Sequence, residues 1–134
     1  ALAMARMAVA DGTEVIIATP HQLGSYRHNT AEEIRSRVAQ LTALLDQQSI
    51  PLKVLPGGDV RIEAEMLAKL KSDEVLTLGD QKRHVLLELP HEMYFDLLPV
   101  LEGLEQLGMR GILSHPERNQ GLLKQQELIE PLVD

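Results

Sequence analysis

Val85-Leu86-Leu87-Glu88-Leu89-Pro90-His91 is an aliphatic run with one carboxylate inside it and an imidazole at its end. Three other segments share this layout: Val15-Ile16-Ile17-Ala18-Thr19-Pro20-His21, Val54-Leu55-Pro56-Gly57-Gly58-Asp59 and Gly111-Ile112-Leu113-Ser114-His115-Pro116-Glu117-Arg118. Each apolar run stops at a residue able to bind a metal or a phosphate. A strand covered on both faces need not alternate, so these runs suit a parallel sheet. Polar residues at the carboxyl ends of successive parallel strands gather on one rim, where α/β enzymes keep their chemistry. A catalytic face is expected before any motif is identified.

Between the runs lie stretches with helical periodicity. Thr30 and Glu33 have the spacing of a capping box, and Ile34, Val38, Leu41, Leu44 and Leu45 continue as an apolar stripe to about Gln48. Glu63 to Lys71 predicts a shorter helix with Met66, Leu67 and Leu70 on one side. Tyr94 to Leu107 predicts another, with Pro99 tolerable only near its first turn and Gly108 as the C-terminal cap. Such alternation means βαβ units with right-handed crossovers, an α/β fold. Ala1 to Ala10 is already in helical register without a lead-in, and Leu122 to Val133 begins a further periodic segment. A complete (β/α) barrel takes about 250 residues. The 134 residues are therefore expected to form a single partial domain, 1–134, truncated at both ends.

Composition narrows the partners. A formal charge of -7 repels a polyanion, and only Tyr26, Tyr94 and Phe95 offer rings on which a base could stack. This argues against nucleic acid. No stretch approaches the roughly 18 apolar residues of a membrane helix, so no membrane insertion is expected. The absence of cysteine fits a reducing compartment, and a cytoplasmic location is expected.

Each strand-end residue has two readings. His21 is either a neutral imidazole ligand for a divalent metal or a loop histidine. Asp59 is either a ligand that Gly57-Gly58 lets the backbone bring close, or a turn aspartate. A charge within Leu86-Leu87-Glu88-Leu89 must be buried, and it must then meet a metal or an Arg. His91 falls near the mouth of the site or in a loop, and His84 at the opposite rim. His115, Glu117 and Arg118 put an imidazole, a carboxylate and a guanidinium within four residues. The planar fork of Arg118 suits phosphoryl oxygens, and the alternative is a Glu117–Arg118 charge pair.

Ala18-Thr19-Pro20-His21, Gly57-Gly58-Asp59-Val60-Arg61-Ile62, Leu87-Glu88-Leu89-Pro90 and Ser114-His115-Pro116-Glu117-Arg118 together resemble the PHP (polymerase and histidinol phosphatase) superfamily. Within it they are similar to the bacterial manganese-dependent tyrosine phosphatases of capsular and exopolysaccharide operons. The resemblance implies part of a distorted (β/α)7 TIM-like barrel of parallel strands with a trinuclear metal centre. It also implies His21, Asp59, Glu88 and His115 as metal ligands and Arg118 as the catalytic contact for the substrate phosphate. Two positions depart from the pattern: Asp59 stands where the family usually has a bridging Glu, and Gln22 where it often has a second His. The opening Asp-x-His-x-His strand and the late Asp-x-His strand are absent.

The activity implied is hydrolysis of phosphotyrosine on a bacterial tyrosine kinase that controls polysaccharide synthesis. Manganese is the implied metal, and the mixed His and carboxylate set also suits iron or zinc. Two other readings stay open: a PHP phosphoesterase acting on a small metabolite such as histidinol phosphate, and a non-catalytic barrel fragment. Open sheet edges would let such a fragment pair with another copy, as a homo-oligomer, or with missing chain.

Overall fold

Every pairing between named strands is parallel. The computed structural model describes residues 1–133. The strands are β1 (Val15–Ala18), β2 (His21–Gln22), β3 (Lys53–Pro56), β4 (Asp59–Arg61), β5 (His84–Glu88) and β6 (Arg110–Ser114). β1 and β3 form a two-stranded sheet, and β2-β4-β5-β6 a four-stranded one. The parallel α/β class read from the sequence holds.

The sequence reading treats Val15–His21 and Val54–Asp59 as one strand each. Both are interrupted, at Thr19-Pro20 and at Gly57-Gly58, and the breaks lie side by side. Ala18 lies opposite Pro56 before the breaks and His21 opposite Asp59 after them, with no slip in register. The Asp59 N–H donates to the Pro20 carbonyl at 3.0 Å. A Cβ on Gly57 would lie 2.8 Å from Ile17 Cγ2, and one on Gly58 only 2.3 Å from Gln22 Oε1. The glycines thus do permit a close approach, but of neighbouring side chains rather than of a ligand. Asp59 consequently opens β4 instead of closing β3.

The helices are α1 (Leu2–Ala10), α2 (Ala31–Gln47), α3 (Met66–Lys71), α4 (Leu98–Gln106), α5 (Gln120–Lys124) and α6 (Glu130–Val133). Thr30 Oγ1 accepts the Glu33 N–H at 3.2 Å, which is one half of the capping box. The return half is missing because Glu33 instead accepts from Arg37 Nε. α4 starts at Leu98 rather than Tyr94, since Pro99 confines it to the first turn and Asp96 Oδ1 accepts the Leu98 N–H. α3 starts at Met66 rather than Glu63, whose carboxylate is held by Gly24 N–H and Arg27. The segment after Leu122 is broken at Gln125, where φ is -135°, into α5, a 3-10 turn at Gln126–Leu128 and α6.

α1 and α2 cover one side of β3 through Ala5, Ile34, Val38, Leu45 and Val54. α3 and α4 cover β4 and β5, with Val60, Val85 and Leu87 packed among Met66, Leu70 and Leu104. Full burial of each such aliphatic side chain is worth about 1.5–3 kcal/mol. A Cβ on Gly111 would lie 2.8 Å from Leu87 Cδ1 and 2.9 Å from Leu101 Cδ2, so α4 rests directly on β6. Alternation then sends Asp59, Arg61, Leu86, Glu88, Ile112 and Ser114 to the face without helices. That face carries the chemistry. Among the described residues no helix is long and apolar enough to cross a membrane.

Candidate metal centre

The short strand β2 splits its two residues between the faces. Gln22 is turned to the helical side and buried, where Oε1 accepts the Leu76 N–H at 2.9 Å and Nε2 donates to the Asn29 carbonyl at 3.0 Å. Position 22 is therefore occupied by a structural staple. His21 takes the other face, with Nδ1 3.4 Å from Asp59 Oδ2 and 3.7 Å from Glu88 Oε2. Both separations are longer than a good hydrogen bond. His21 Nδ1 and Asp59 Oδ1 are buried and have no hydrogen-bond partner. Leaving such a group unpaired costs about 1–3 kcal/mol, so two at one point are a signal. An imidazole nitrogen and two carboxylates near one another, with two of their atoms orphaned, are donors of the chemical kind a divalent cation takes.

Two further side chains orient this set. Ser114 Oγ donates to Asp59 Oδ2 at 3.0 Å, which leaves Oδ1 as the free oxygen. Arg61 Nη1 lies 3.5 Å from Glu88 Oε1 and donates to the Leu89 carbonyl at 3.4 Å. Of the two partners expected for Glu88, the structure shows the Arg: Arg61 approaches Oε1, while Oε2 faces His21. Neither Ser114 nor Arg61 is among the ligands or contacts expected from the sequence. Period-two spacing from Asp59 to Arg61 was the available signal for Arg61, while Ser114 becomes visible only once β6 is laid beside β5.

His115 follows Ser114 at the same strand end but is turned elsewhere. Its φ of +44° is unusual for a residue with a Cβ, and its Nδ1 is 2.9 Å from Glu117 Oε1. That bond is the main reason the Glu117 carboxyl is held below its usual range. Arg118 closes a 3-10 turn, Pro116–Arg118, and is exposed. No ion pair or side-chain hydrogen bond engages it among the described residues, so the Glu117–Arg118 pair gives way to Glu117–His115. Three of the four expected ligands meet, and His115 is held by its neighbour. As they stand, no three His, Asp or Glu side chains among the described residues are spaced to hold an ion. His84 opens β5 at its far end, and His91 is exposed after β5 with its carbonyl accepting the Gln120 N–H.

A larger cavity of about 400 Å³ lies on the helical side, bordered by Gln22, Arg27, Arg35, Lys69 and Asp73. Its charges satisfy one another: Arg35 binds Asp80 and Asp73, while Arg27 and Lys69 both reach Glu63. It is a structural pocket, remote in character from the His21 cluster.

A sequence profile of the family described as "Capsular polysaccharide synthesis, CpsB/CapC" matches residues 1–134. The chain belongs to the CpsB/CapC family. The resemblance read from the four motifs is thereby borne out, and placement in the PHP superfamily is consistent with it. Among family relatives, the chain is 35% identical over 136 residues to the tyrosine-protein phosphatase YwqE of Bacillus subtilis, covering 98% of this chain and 52% of that protein. It is 24% identical to the putative tyrosine-protein phosphatase CapC of Staphylococcus aureus, over 100% of this chain and 52% of the relative. A solved chain from the crystal structures of YwqE and of CpsB from Streptococcus pneumoniae, described as unique metal-dependent tyrosine phosphatases, superimposes with a TM-score of 0.88 at 34% identity. That match covers 97% of this chain and 53% of the solved one. The chain spans about half the length of the curated relatives it matches.

Proposed function

We propose that residues 1–134 form a partial PHP-type domain of a metal-dependent protein-tyrosine phosphatase, a phosphoric monoester hydrolase. The protein is cytoplasmic, and its substrate is phosphotyrosine on a bacterial tyrosine kinase that governs capsular or exopolysaccharide synthesis. The observation that carries this reading is the pair of buried, unpartnered donor atoms, His21 Nδ1 and Asp59 Oδ1, facing Glu88. Two phosphatase-named relatives and the 0.88 superposition support it. The sequential parallel order of β4, β5 and β6 fits one arc of a distorted (β/α)7 barrel.

His21, Asp59 and Glu88, joined by His115 once it leaves Glu117, would hold divalent ions, with manganese preferred and iron or zinc compatible with the donors. Such ions neutralise phosphoryl oxygens and acidify water toward neutral pH. The remaining work belongs to the chain. His21 must stay unprotonated at Nδ1 to present its lone pair, and Ser114 keeps Asp59 aimed. Arg118, unpaired among the described residues and bearing a planar fork, takes the non-bridging oxygens as charge grows on the leaving group. No cysteine in the chain offers a thiolate nucleophile.

The test uses the full-length parent protein loaded with manganese. Hydrolysis of a phosphotyrosine peptide in clear preference to histidinol phosphate is expected, and the reverse preference would overturn the assignment. Arg118→Lys should cut catalytic efficiency by on the order of 10²–10³ with metal content intact. His115→Ala should lose metal and activity together.

A further inference from the structure

The segment after β2 is bent back by two residues in the left-handed region, Leu23 at φ +66° and Gly24 at φ +53°. Leu23 is a buried aliphatic residue, so this conformation is held against its steric cost. Glu63 holds it: Oε2 accepts the Gly24 N–H at 3.2 Å, and Oε1 accepts from Arg27 at 2.9 Å. The Tyr26 N–H closes the turn on the Leu23 carbonyl at 2.8 Å. The outcome is a tyrosine ring placed on the metal-ligand candidate, with the Tyr26 and His21 ring centres 4.9 Å apart. Tyr26 is nonetheless 43% exposed.

Under this turn is a small pocket of about 160 Å³ lined by Leu23, Gly24, Ser25, Tyr26, Arg61 and Glu88. A cavity of about 150 Å³ is enough to take up a benzene ring. Arg61 is fixed as one wall, because its stem lies under Gly24, where a Cβ would come within 3.2 Å of Arg61 Cγ. Its guanidinium is anchored toward Glu88 and the Leu89 carbonyl. Glu88 belongs both to this pocket and to the His21 cluster, so the two share a wall.

We propose that this pocket receives the aromatic ring of the substrate, with Tyr26 as the specificity-determining residue and Arg61 as the facing wall. The inference rests on the phosphatase reading and names what selects an aryl phosphate over an alkyl one. A phenyl ring between a tyrosine ring and a guanidinium gains offset aromatic and cation–π contact that a serine methylene cannot make. Its ester oxygen then lies on the Glu88 side, toward the ligand cluster. Tyr26→Ala should remove this advantage, and Tyr26→Phe, which keeps the ring, should retain it.

The experiment measures inhibition constants or binding of phenylphosphonate and methylphosphonate on full-length, manganese-loaded protein, for wild type, Tyr26→Ala and Tyr26→Phe. Matched metal content and melting temperature are required of the variants. Wild type and Tyr26→Phe are expected to prefer the phenyl compound, and in Tyr26→Ala that preference should shrink by about tenfold. Hydrolysis of the phosphotyrosine peptide by Tyr26→Ala should show the loss in KM more than in kcat. A preference unchanged in Tyr26→Ala, or equal losses for phenyl and methyl ligands, overturns the proposal. If the wild type hydrolyses no phosphomonoester, the phosphatase reading fails separately, and the phosphonate preference still decides the pocket.

Discussion

Replacing Gly58 by Ala should destabilise the chain through one side chain, and the structure says which. The new Cβ would lie 2.3 Å from Gln22 Oε1 and 3.0 Å from Gln22 Cδ, so Gln22 has to move. Its displacement breaks the 2.9 Å bond from the Leu76 N–H and strains the 3.0 Å bond to the Asn29 carbonyl, both at a buried amide. Losing the partner of a buried backbone group costs about 1–3 kcal/mol, so the displacement of Gln22 by Gly58→Ala should cost about 2–3 kcal/mol before any backbone gain. Because φ at Gly58 is not in the left-handed region, Ala carries no backbone penalty and should gain about 0.4–1 kcal/mol from the restricted unfolded chain. With Gln22→Ala already present, the obstructing atoms are gone and Gly58→Ala should be neutral or slightly stabilising. A double-mutant cycle by urea unfolding should thus show a coupling energy of about 2–3 kcal/mol. Equal costs of Gly58→Ala in both backgrounds would refute the argument that Gln22, rather than backbone strain, makes this glycine necessary.

Ser114→Ala removes the bond that aims Asp59 without removing a ligand, and metal affinity of the parent protein should fall 10–100-fold, measured by competition with a chelator. Asp80 carries a lowered pKa, chiefly from its hydrogen bonds to Arg35, so its stabilisation is present above the unfolded carboxyl value near 3.9 and fades as pH falls through the folded value. Asp80→Asn should accordingly cost about 1 kcal/mol at pH 7, with the difference from wild type closing below about pH 4 in thermal melts. Asn119→Ala should cost about 2–4 kcal/mol by chemical unfolding, because the side chain caps Leu122 N–H and ties the Pro90 and Met93 carbonyls.

Elements built from local pattern were legible in the sequence. The stripe through Ile34, Val38 and Leu45 gave α2, and the left-handed Gly108, φ +73°, ends the turn after α4 as its position implied. Breaks decided by distant partners were not. Nothing local to Val54–Asp59 announces that Gln22 lies against Gly58, at the break between β3 and β4. The same division runs through the candidate site. His21, Asp59 and Glu88 could be read because each lies beside an apolar run, whereas Ser114, Arg61 and Tyr26 act across the register or around a turn. The family resemblance implies His115 as a ligand, but its rotation toward Glu117 depends on a left-handed backbone that its residue type does not suggest.

Alternation along the strands explains why the ligand candidates and the exposed aliphatic residues occur together. The face opposite α3 and α4 bears Asp59, Arg61, Glu88 and Ser114, and among them Ile112 is 43% exposed. In the neighbouring sheet Val15 and Ile17 are also exposed, and β1 has a pairing partner on one side only among the described residues. Exposed β-branched residues beside an unpaired parallel edge call for cover, because apolar area and free backbone groups both gain from burial. Cover over this face would also thin the water around His21, Asp59 and Glu88. Charges in such surroundings interact more strongly and tolerate an unpaired donor less, which raises the demand for a cation at the orphaned atoms. The same alternation that keeps the helices dry therefore puts exposed aliphatic side chains and the orphaned polar atoms of the candidate site on one face.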